Sequence, residues 1–269
     1  MIGPPPRGYP ATPASAGVAI SRLCSPALDA DAYNWGVTTH SSTCSWPPAA
    51  PTTPLAILVS GGLDSAVLLA EAVRVYPAVY PLYVRVGLLW ETVERDYLDR
   101  FLAAVHTPAL RPLQILDQPA TDLYGPHWSV TGDGSPAADA PNDADFLPGR
   151  NVLLLAKPLI WCHLNGISEV ATAPLASNPF PDASPAFYDG FADLVSRAVG
   201  GRVAILRPYA NLLKPDVVRR GRGMPLEHTF SCVRPIDRRP CGQCIKCGER
   251  RRGFAAAGIV DPTDYVNDE

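Results

Sequence analysis

Ser60-Gly61-Gly62-Leu63-Asp64-Ser65 is the stretch that decides how this chain folds, because of what flanks it. An apolar run, Leu55 to Val59, leads into it, and a helix-like run, Ala66 to Val75, leads out. Strand, glycine-rich turn and helix in that order present free backbone N–H groups and a helix N-terminus to an anion. Gly61 and Gly62 permit positive φ and a close backbone approach. Ser60 and Ser65 add hydroxyl donors, and Asp64 can hold a Mg²⁺ that bridges to pyrophosphate. The lysine-bearing G-x-x-x-x-G-K-[ST] loop is absent, which argues against γ-phosphate transfer. A plain strand–helix turn capped by serine and aspartate is the simpler alternative, but it does not call for the whole flanking pattern.

Working outward, strand-like runs recur at Leu55–Val59, Val79–Val86, Leu113–Leu116, Glu169–Ala173 and Val203–Leu206. Helix-like stretches separate them at Ser65–Tyr76, Thr92–His106, Asn151–Leu164 and Pro185–Val199. This alternation predicts βαβ units and a Rossmann-like α/β domain, a mostly parallel sheet with helices on both faces. Ligands in such sheets gather at the carboxyl ends of the strands, so the site is expected at the Ser60–Ser65 turn. The helix at Asn151–Leu164 is apolar almost all round and is expected to be buried. Between Gln118 and Gly149 the periodicity fails, and a loop of that length in a compact domain is functional or disordered. It ends in Leu147-Pro148-Gly149-Arg150-Asn151, which sets Arg150 at a helix start, fit to hold a carboxylate or phosphate.

Near the other end, Cys232, Cys241, Cys244 and Cys247 form C-x8-C-x2-C-x2-C. Overlapping C-x2-C steps let one ion be gripped from both sides of a tight turn, with Gly242 and Gly248 allowing the reversals. Four soft ligands favour a closed, structural Zn²⁺ site. An Fe–S cluster is the chemical competitor and disulfides the structural one. A helix is expected over Glu249 to Gly258, closed by Pro262. His106, His127, His163 and His228 show no ligand spacing.

The first 54 residues stand apart: ten of the 30 prolines, no sustained period, and only Arg7, Arg22, Asp29 and Asp31 as charges. A disordered extension is expected there, with loose coverage of the domain surface as the alternative. No basic n-region and apolar h-region of a signal peptide appears. The organisation predicted is thus an extension over 1–54, an α/β nucleotide-binding domain over 55–225, and a zinc-binding subdomain over 226–269.

A net charge of −3 and 47% hydrophobic residues suit a water-soluble enzyme. No apolar run reaches the length of a membrane helix; the longest, Val152 to Trp161, is broken by Lys157 and Pro158. Seven cysteines divide into the clustered four and the isolated Cys24, Cys44 and Cys162. That split fits a reducing, cytoplasmic compartment.

The S-G-G-x-D-S turn after a strand resembles the PP-loop of ATP pyrophosphatases, which split ATP between its α and β phosphates. Together with Pro148-Gly149-Arg150-Asn151 opening an apolar helix, and the cysteine spacing near the end, it resembles the 7-cyano-7-deazaguanine synthase (QueC) family over roughly Leu55 to Tyr265. The resemblance implies an adenine nucleotide alpha hydrolase-like fold and an ATP-dependent ligase. That ligase converts 7-carboxy-7-deazaguanine and ammonia into the nitrile, a precursor of queuosine and other deazapurine nucleosides. It implies ATP, Mg²⁺ and Zn²⁺ as cofactors, with a homodimer as an open expectation. It assigns Ser60, Gly61, Gly62, Leu63, Asp64 and Ser65 to the pyrophosphate end, and Asp64, Ser65, Arg150 and Lys214 to catalysis. Arg150, with Asn151 beside it, would orient nucleotide or substrate, and Lys214 would sit near the phosphates. A solvated lysine at a helix start is the alternative for Lys214.

One stretch departs from the family pattern. Where relatives carry Asp, Tyr and Cys after the fourth core strand, this chain reads Ala171-Thr172-Ala173-Pro174-Leu175-Ala176-Ser177-Asn178-Pro179-Phe180-Pro181-Asp182. Ser177, Asn178 and Asp182 can still read a purine edge, and Phe180 can stack on one. A paralogue that adenylates another target is therefore kept open. Residues 202–252 carry +9 against −12 for the remainder, which raises a PP-loop enzyme acting on tRNA as an alternative. Arginines facing phosphates or simply solvated explain the same charge. Cys162, in an apolar helix, reads as a small core residue rather than a sulfur carrier. A nucleotide-binding sensor module is the non-enzymatic alternative.

Overall fold

Five short apolar runs become the strands of one parallel sheet: β1 Leu55–Leu58, β2 Val79–Arg85, β3 Gln114–Asp117, β4 Glu169–Ala171 and β5 Ala204–Leu206. Their order is β3-β2-β1-β4-β5, with every pairing parallel. The computed structural model describes Trp46, Pro48 and residues 51–266. Its helices are α1 Leu63–Ala72, α2 Glu91–Ala104, α3 Thr121–Tyr124, α4 Trp128–Thr131, α5 Arg150–Leu164, α6 Pro185–Val199, α7 Lys214–Arg220 and α8 Ile245–Ala257. The chain runs from β1 to one side of the sheet and returns to β1's other side with β4. This reversal of direction opens a crevice at the carboxyl end of β1, where Ser60–Ser65 lies.

Alternation along β1 sorts the helices onto two faces. Leu55 and Ile57 pack with Leu68 of α1, Phe101 of α2, Val217 of α7 and Phe254 of α8. Ala56, between them, packs on the opposite side with Leu155 and Leu159 of α5 and Tyr188 of α6. A third cluster extends past the end of β2, where Val84, Trp90 and Tyr97 share a core with Phe230 and the four clustered cysteines.

The expected burial of the helix opening at Asn151 is corrected. α5 buries Leu155, Pro158, Leu159 and Cys162, a one-sided stripe spaced i, i+3, i+4, i+7. Val152, Ile160 and Leu164 on its other side are 39%, 43% and 72% exposed. An outer-layer helix touches the sheet along one stripe only, whatever the composition of its far side. The stretch from Gln118 to Gly149 is not structureless either. It holds the single turns α3 and α4 and bridges to Cys244 through Ala137.

Of the predicted extension, all but Trp46, Pro48 and 51–54 lies outside the described residues, and with it Cys24 and Cys44. Trp46 is anchored: its Nε1–H donates to Glu71 Oε2 at 2.9 Å and its ring lies 5.9 Å from that of Tyr76. Glu71 also accepts from the Tyr209 hydroxyl at 2.8 Å and from Arg220 at 2.9 Å. No helix among the described residues is long and apolar enough to cross a membrane.

Candidate active site

The turn after β1 is held open by its own polar atoms. Gly62 N–H donates to Ser60 Oγ at 3.3 Å, Ser60 N–H to Ser65 Oγ at 3.3 Å, and Ser65 Oγ–H to the Gly62 carbonyl at 3.2 Å. Gly61 has φ +75°, and a Cβ there would stand 2.9 Å from the Glu94 carbonyl oxygen, so the position requires glycine. Gly62 caps α1 without any side-chain hydrogen bond, leaving first-turn N–H groups free for a ligand. The Leu63 side chain is buried in the core beneath, so only its backbone faces the site.

Asp64 is the charged floor. Its Oδ2 accepts from Lys214 Nζ at 2.6 Å, while its Oδ1 is buried and has no partner. Lys214, at the start of α7, also contacts Glu249 Oε1 at 3.0 Å. Lys246 Nζ in turn bridges Glu249 Oε2 at 3.1 Å and the buried Asp145 Oδ2 at 2.6 Å. Asp64, Lys214, Glu249, Lys246 and Asp145 thus form one alternating chain of charges. Burial would lower both lysines, but their carboxylate neighbours outweigh it and hold them above the ordinary range. Burial would raise Glu249, and the two ammonium groups hold it down at about 2 instead. Gly253 of α8 lets this happen: a Cβ there would run into the Lys214 Cγ.

Two cavities meet at this chain. The larger, about 250 Å³, lies against Ser60, Gly62, Trp90, Glu94, Arg150 and Phe230. The smaller, about 190 Å³, is lined by Asn142, Asp145, Ser177, Asn178 and Phe180. Asp64, Lys214, Lys246 and Glu249 belong to both. Arg150 opens α5 and its buried Nε has no partner, which suits an arriving anion. Beside it, burial pushes the Glu94 carboxyl up to about 8, although the Tyr83 hydroxyl (2.8 Å) and Arg150 pull the other way.

The structure therefore gathers Ser60, Gly61, Gly62, Asp64, Ser65, Arg150 and Lys214 around one crevice. Asn151 turns away: its N–H and its side-chain amide bond the Asp182 carboxylate and carbonyl, each at 2.9 Å. That pairing occupies Oδ2 and the carbonyl of Asp182, which lines neither cavity described above. Phe180 packs on Phe146 with centroids 5.0 Å apart. Sequence reasoning missed Lys246, Glu249, Asp145 and Glu94. The available signal was two charges, Lys246 and Glu249, threaded through and just past the cysteine cluster.

The four cysteines are buried, and their Sγ atoms all lie within 4.8 Å of one another. Neighbouring pairs stand 3.5–3.9 Å apart, close to the ~3.8 Å that tetrahedral Zn–S bonds of about 2.3 Å require. Backbone N–H groups of Val233, Cys241 and Gln243 point at sulfurs of Cys244, Cys232 and Cys241, as thiolates require. The cluster touches the turn directly: Phe230 N–H donates to the Gly61 carbonyl at 2.8 Å. Arg250, 2% exposed, fixes the approach to Phe230 by bonding the Leu226 carbonyl, Thr229 and Asp261.

Most of the arginines in 202–252 have acidic or carbonyl partners. Arg207 pairs with Asp189, Arg219 with Asp216, Arg220 with Glu71, Arg238 with Asp96, Arg239 with Asp264, and Arg252 with the Ala138 carbonyl. Burial pushes the Cys162 thiol up to about 12, as befits a core residue.

Residues 55–258 match the family described as "Queuosine biosynthesis protein QueC". A protein of Xanthomonas oryzae pv. oryzae named 7-cyano-7-deazaguanine synthase is 33% identical over 223 residues, spanning 78% of this chain and 96% of its own. One of the same name from Azoarcus sp. is 32% identical over 222 residues, spanning 78% and 95%. Among solved structures, a 4-thiouridine synthetase in complex with RNA and ATP overlaps 64% of this chain and 41% of its own. Its TM-score of 0.39 and 16% identity are too loose to bear on function.

Proposed function

The chain belongs to the QueC family of queuosine biosynthesis proteins, and on that footing we propose that it makes 7-cyano-7-deazaguanine from 7-carboxy-7-deazaguanine, ammonia and ATP. The observation that carries this reading is the crevice at the end of β1, where the glycine turn, a half-buried Asp64–Lys214 pair and Arg150 converge. A carboxylate is a poor electrophile, so it must first attack the α-phosphorus of ATP, expelling pyrophosphate and becoming an acyl-adenylate. Ammonia then displaces AMP to give the amide. A second adenylation, on the amide oxygen, allows elimination of AMP to the nitrile. The chain's part is positioning and charge neutralisation. Free N–H groups at Leu63 to Ser65 and the Ser60 and Ser65 hydroxyls receive the pyrophosphate end. Lys214 and Arg150 offset its charge from either side.

The partnerless Oδ1 of Asp64 fits a Mg²⁺ held beside the phosphates, where it would neutralise the leaving pyrophosphate. Cys232, Cys241, Cys244 and Cys247 fit Zn²⁺ in a structural role, since all four positions of a tetrahedron are taken. The pairing of the arginines lends no support to a tRNA substrate.

The test is pyrophosphate release from purified protein given ATP, Mg²⁺ and ammonium, with and without 7-carboxy-7-deazaguanine. Release that depends on the acid, with a nitrile product by mass spectrometry, is the expected result. ATP binding without acid-dependent release would overturn the reading.

A further inference from the structure

The smaller cavity and the larger one share two ammonium groups, and a carboxylate of the protein lies between them. Glu249 is gripped by Lys214 Nζ at 3.0 Å through Oε1 and by Lys246 Nζ at 3.1 Å through Oε2. Each lysine has a second anchor on its far side, Asp64 at 2.6 Å for Lys214 and Asp145 at 2.6 Å for Lys246. The lysines would therefore stay in place if Glu249 left. Of the three carboxylates Glu249 is the most exposed, at 33% against 23% for Asp64 and 6% for Asp145.

We propose that Lys214 and Lys246 together form the binding site for the carboxylate of the acid substrate, and that Glu249 occupies this site in the free enzyme and gives it up when the acid binds. The inference rests on the function proposed above and goes beyond it by naming the acid's subsite. The position is chemically apt. A carboxylate held there lies at the boundary between the crevice that takes ATP and the cavity lined by Asn142, Ser177, Asn178 and Phe180. The rest of a flat heteroaromatic acid then extends into the smaller cavity, where amide and hydroxyl groups meet its polar edge.

Charge decides the exchange. Within the chain of charges Asp64, Asp145 and Glu249 already outnumber the two lysines by one, so a second carboxylate between the same two ammonium groups would be repelled by Glu249. Replacing Glu249 by the substrate's carboxylate leaves the count unchanged, and both ammonium groups keep two partners. Glu249 thereby acts as an internal competitor for the acid's carboxylate, keeping two half-buried lysines paired before substrate arrives.

The test is calorimetric titration of 7-carboxy-7-deazaguanine, and of 7-deazaguanine without the carboxylate, into the metal-replete full chain with a non-hydrolysable ATP analogue present. Glu249→Gln should bind the acid about tenfold more tightly, and Lys246→Gln about tenfold more weakly, the scale of one charge-assisted hydrogen bond. Lys246→Arg should retain most of the affinity, which separates loss of charge from damage to the adjacent cysteines. The carboxylate-free base should respond to none of these changes. Binding of the acid by wild type with Glu249→Gln unchanged or weaker would overturn the exchange and leave the proposed function standing. Failure of wild type to bind the acid at all would overturn both.

Discussion

The two walls of the crevice are built by opposite means. One is the contiguous Ser60–Ser65 turn, whose working groups are mostly backbone N–H and whose shape is fixed by Gly61 at φ +75°. The other is assembled from α7, α8 and the cysteine cluster, and its working groups are lysines and carboxylates far apart in sequence. The first wall presents partial charges that cannot be neutralised or moved. The second presents full charges that must be paired when no ligand is there. A backbone wall is therefore specified locally, while a side-chain wall is specified only by the fold that brings it together. The hydrogen bond from Phe230 N–H to the Gly61 carbonyl joins them.

The comparison breaks first at Asp64, where a side chain of the turn is ion-paired to the second wall. Asp64→Ala should cut pyrophosphate release by roughly 10²–10³-fold while circular dichroism and metal content stay as in wild type. Unchanged turnover would remove the turn from the mechanism. Next, Cys244→Ser should lose bound metal and roughly 3–5 kcal/mol of stability together, read by elemental analysis and denaturant unfolding. A metal-free variant of wild-type stability would show that the second wall stands without its ion.

A subtler difference is in pH response. The Glu94 carboxyl, raised to about 8 by burial, lies above its unfolded value of about 4.3. Its contribution to stability is fully present below the unfolded value and is lost as pH rises through 8, because the unfolded chain ionises first. Wild type should therefore lose on the order of 3 kcal/mol more than Glu94→Gln between about pH 5 and pH 9. Parallel unfolding profiles of the two proteins would contradict it. Smallest, Gly61→Ala should cost about 1–2 kcal/mol through its left-handed backbone and the nearby Glu94 carbonyl, and weaken ATP binding measurably by calorimetry. A variant that binds ATP as wild type does would mean that the turn tolerates reshaping.

Where local pattern carries the information, the sequence was readable. All five strands fall within a residue or two of their apolar runs, and Pro185–Val199 is a helix over its whole expected length. Ser60–Ser65 could be read for the same reason, since flanking strand and helix announce it. α7 shows only its start at Lys214, since its seven residues are too few and too charged to carry an apolar period. α8 begins at Ile245, four residues before the expected Glu249, because its first turn carries two of the cysteine cluster's neighbours and little apolar periodicity. Lys246, Glu249 and Asp145 were invisible for a deeper reason. In isolation each is an ordinary surface charge, and only the approach of the 118–149 segment to α8, through Ala137 and Cys244, turns them into a network. The apolar far side of α5 misled in the opposite sense, since composition records how greasy a face is and not whether anything covers it.

Gly253 carries a consequence for how this protein tolerates change. A glycine inside a helix weakens it, and position 253 has no side chain with which to do chemistry. Yet any β-carbon there would collide with Lys214 partway along its stem, behind an ammonium group already pinned by Asp64 and Glu249. In a saturation screen scored on activity, position 253 should behave like a member of the catalytic set, rejecting even alanine. A residue can thus be indispensable to a reaction purely by the volume it leaves empty.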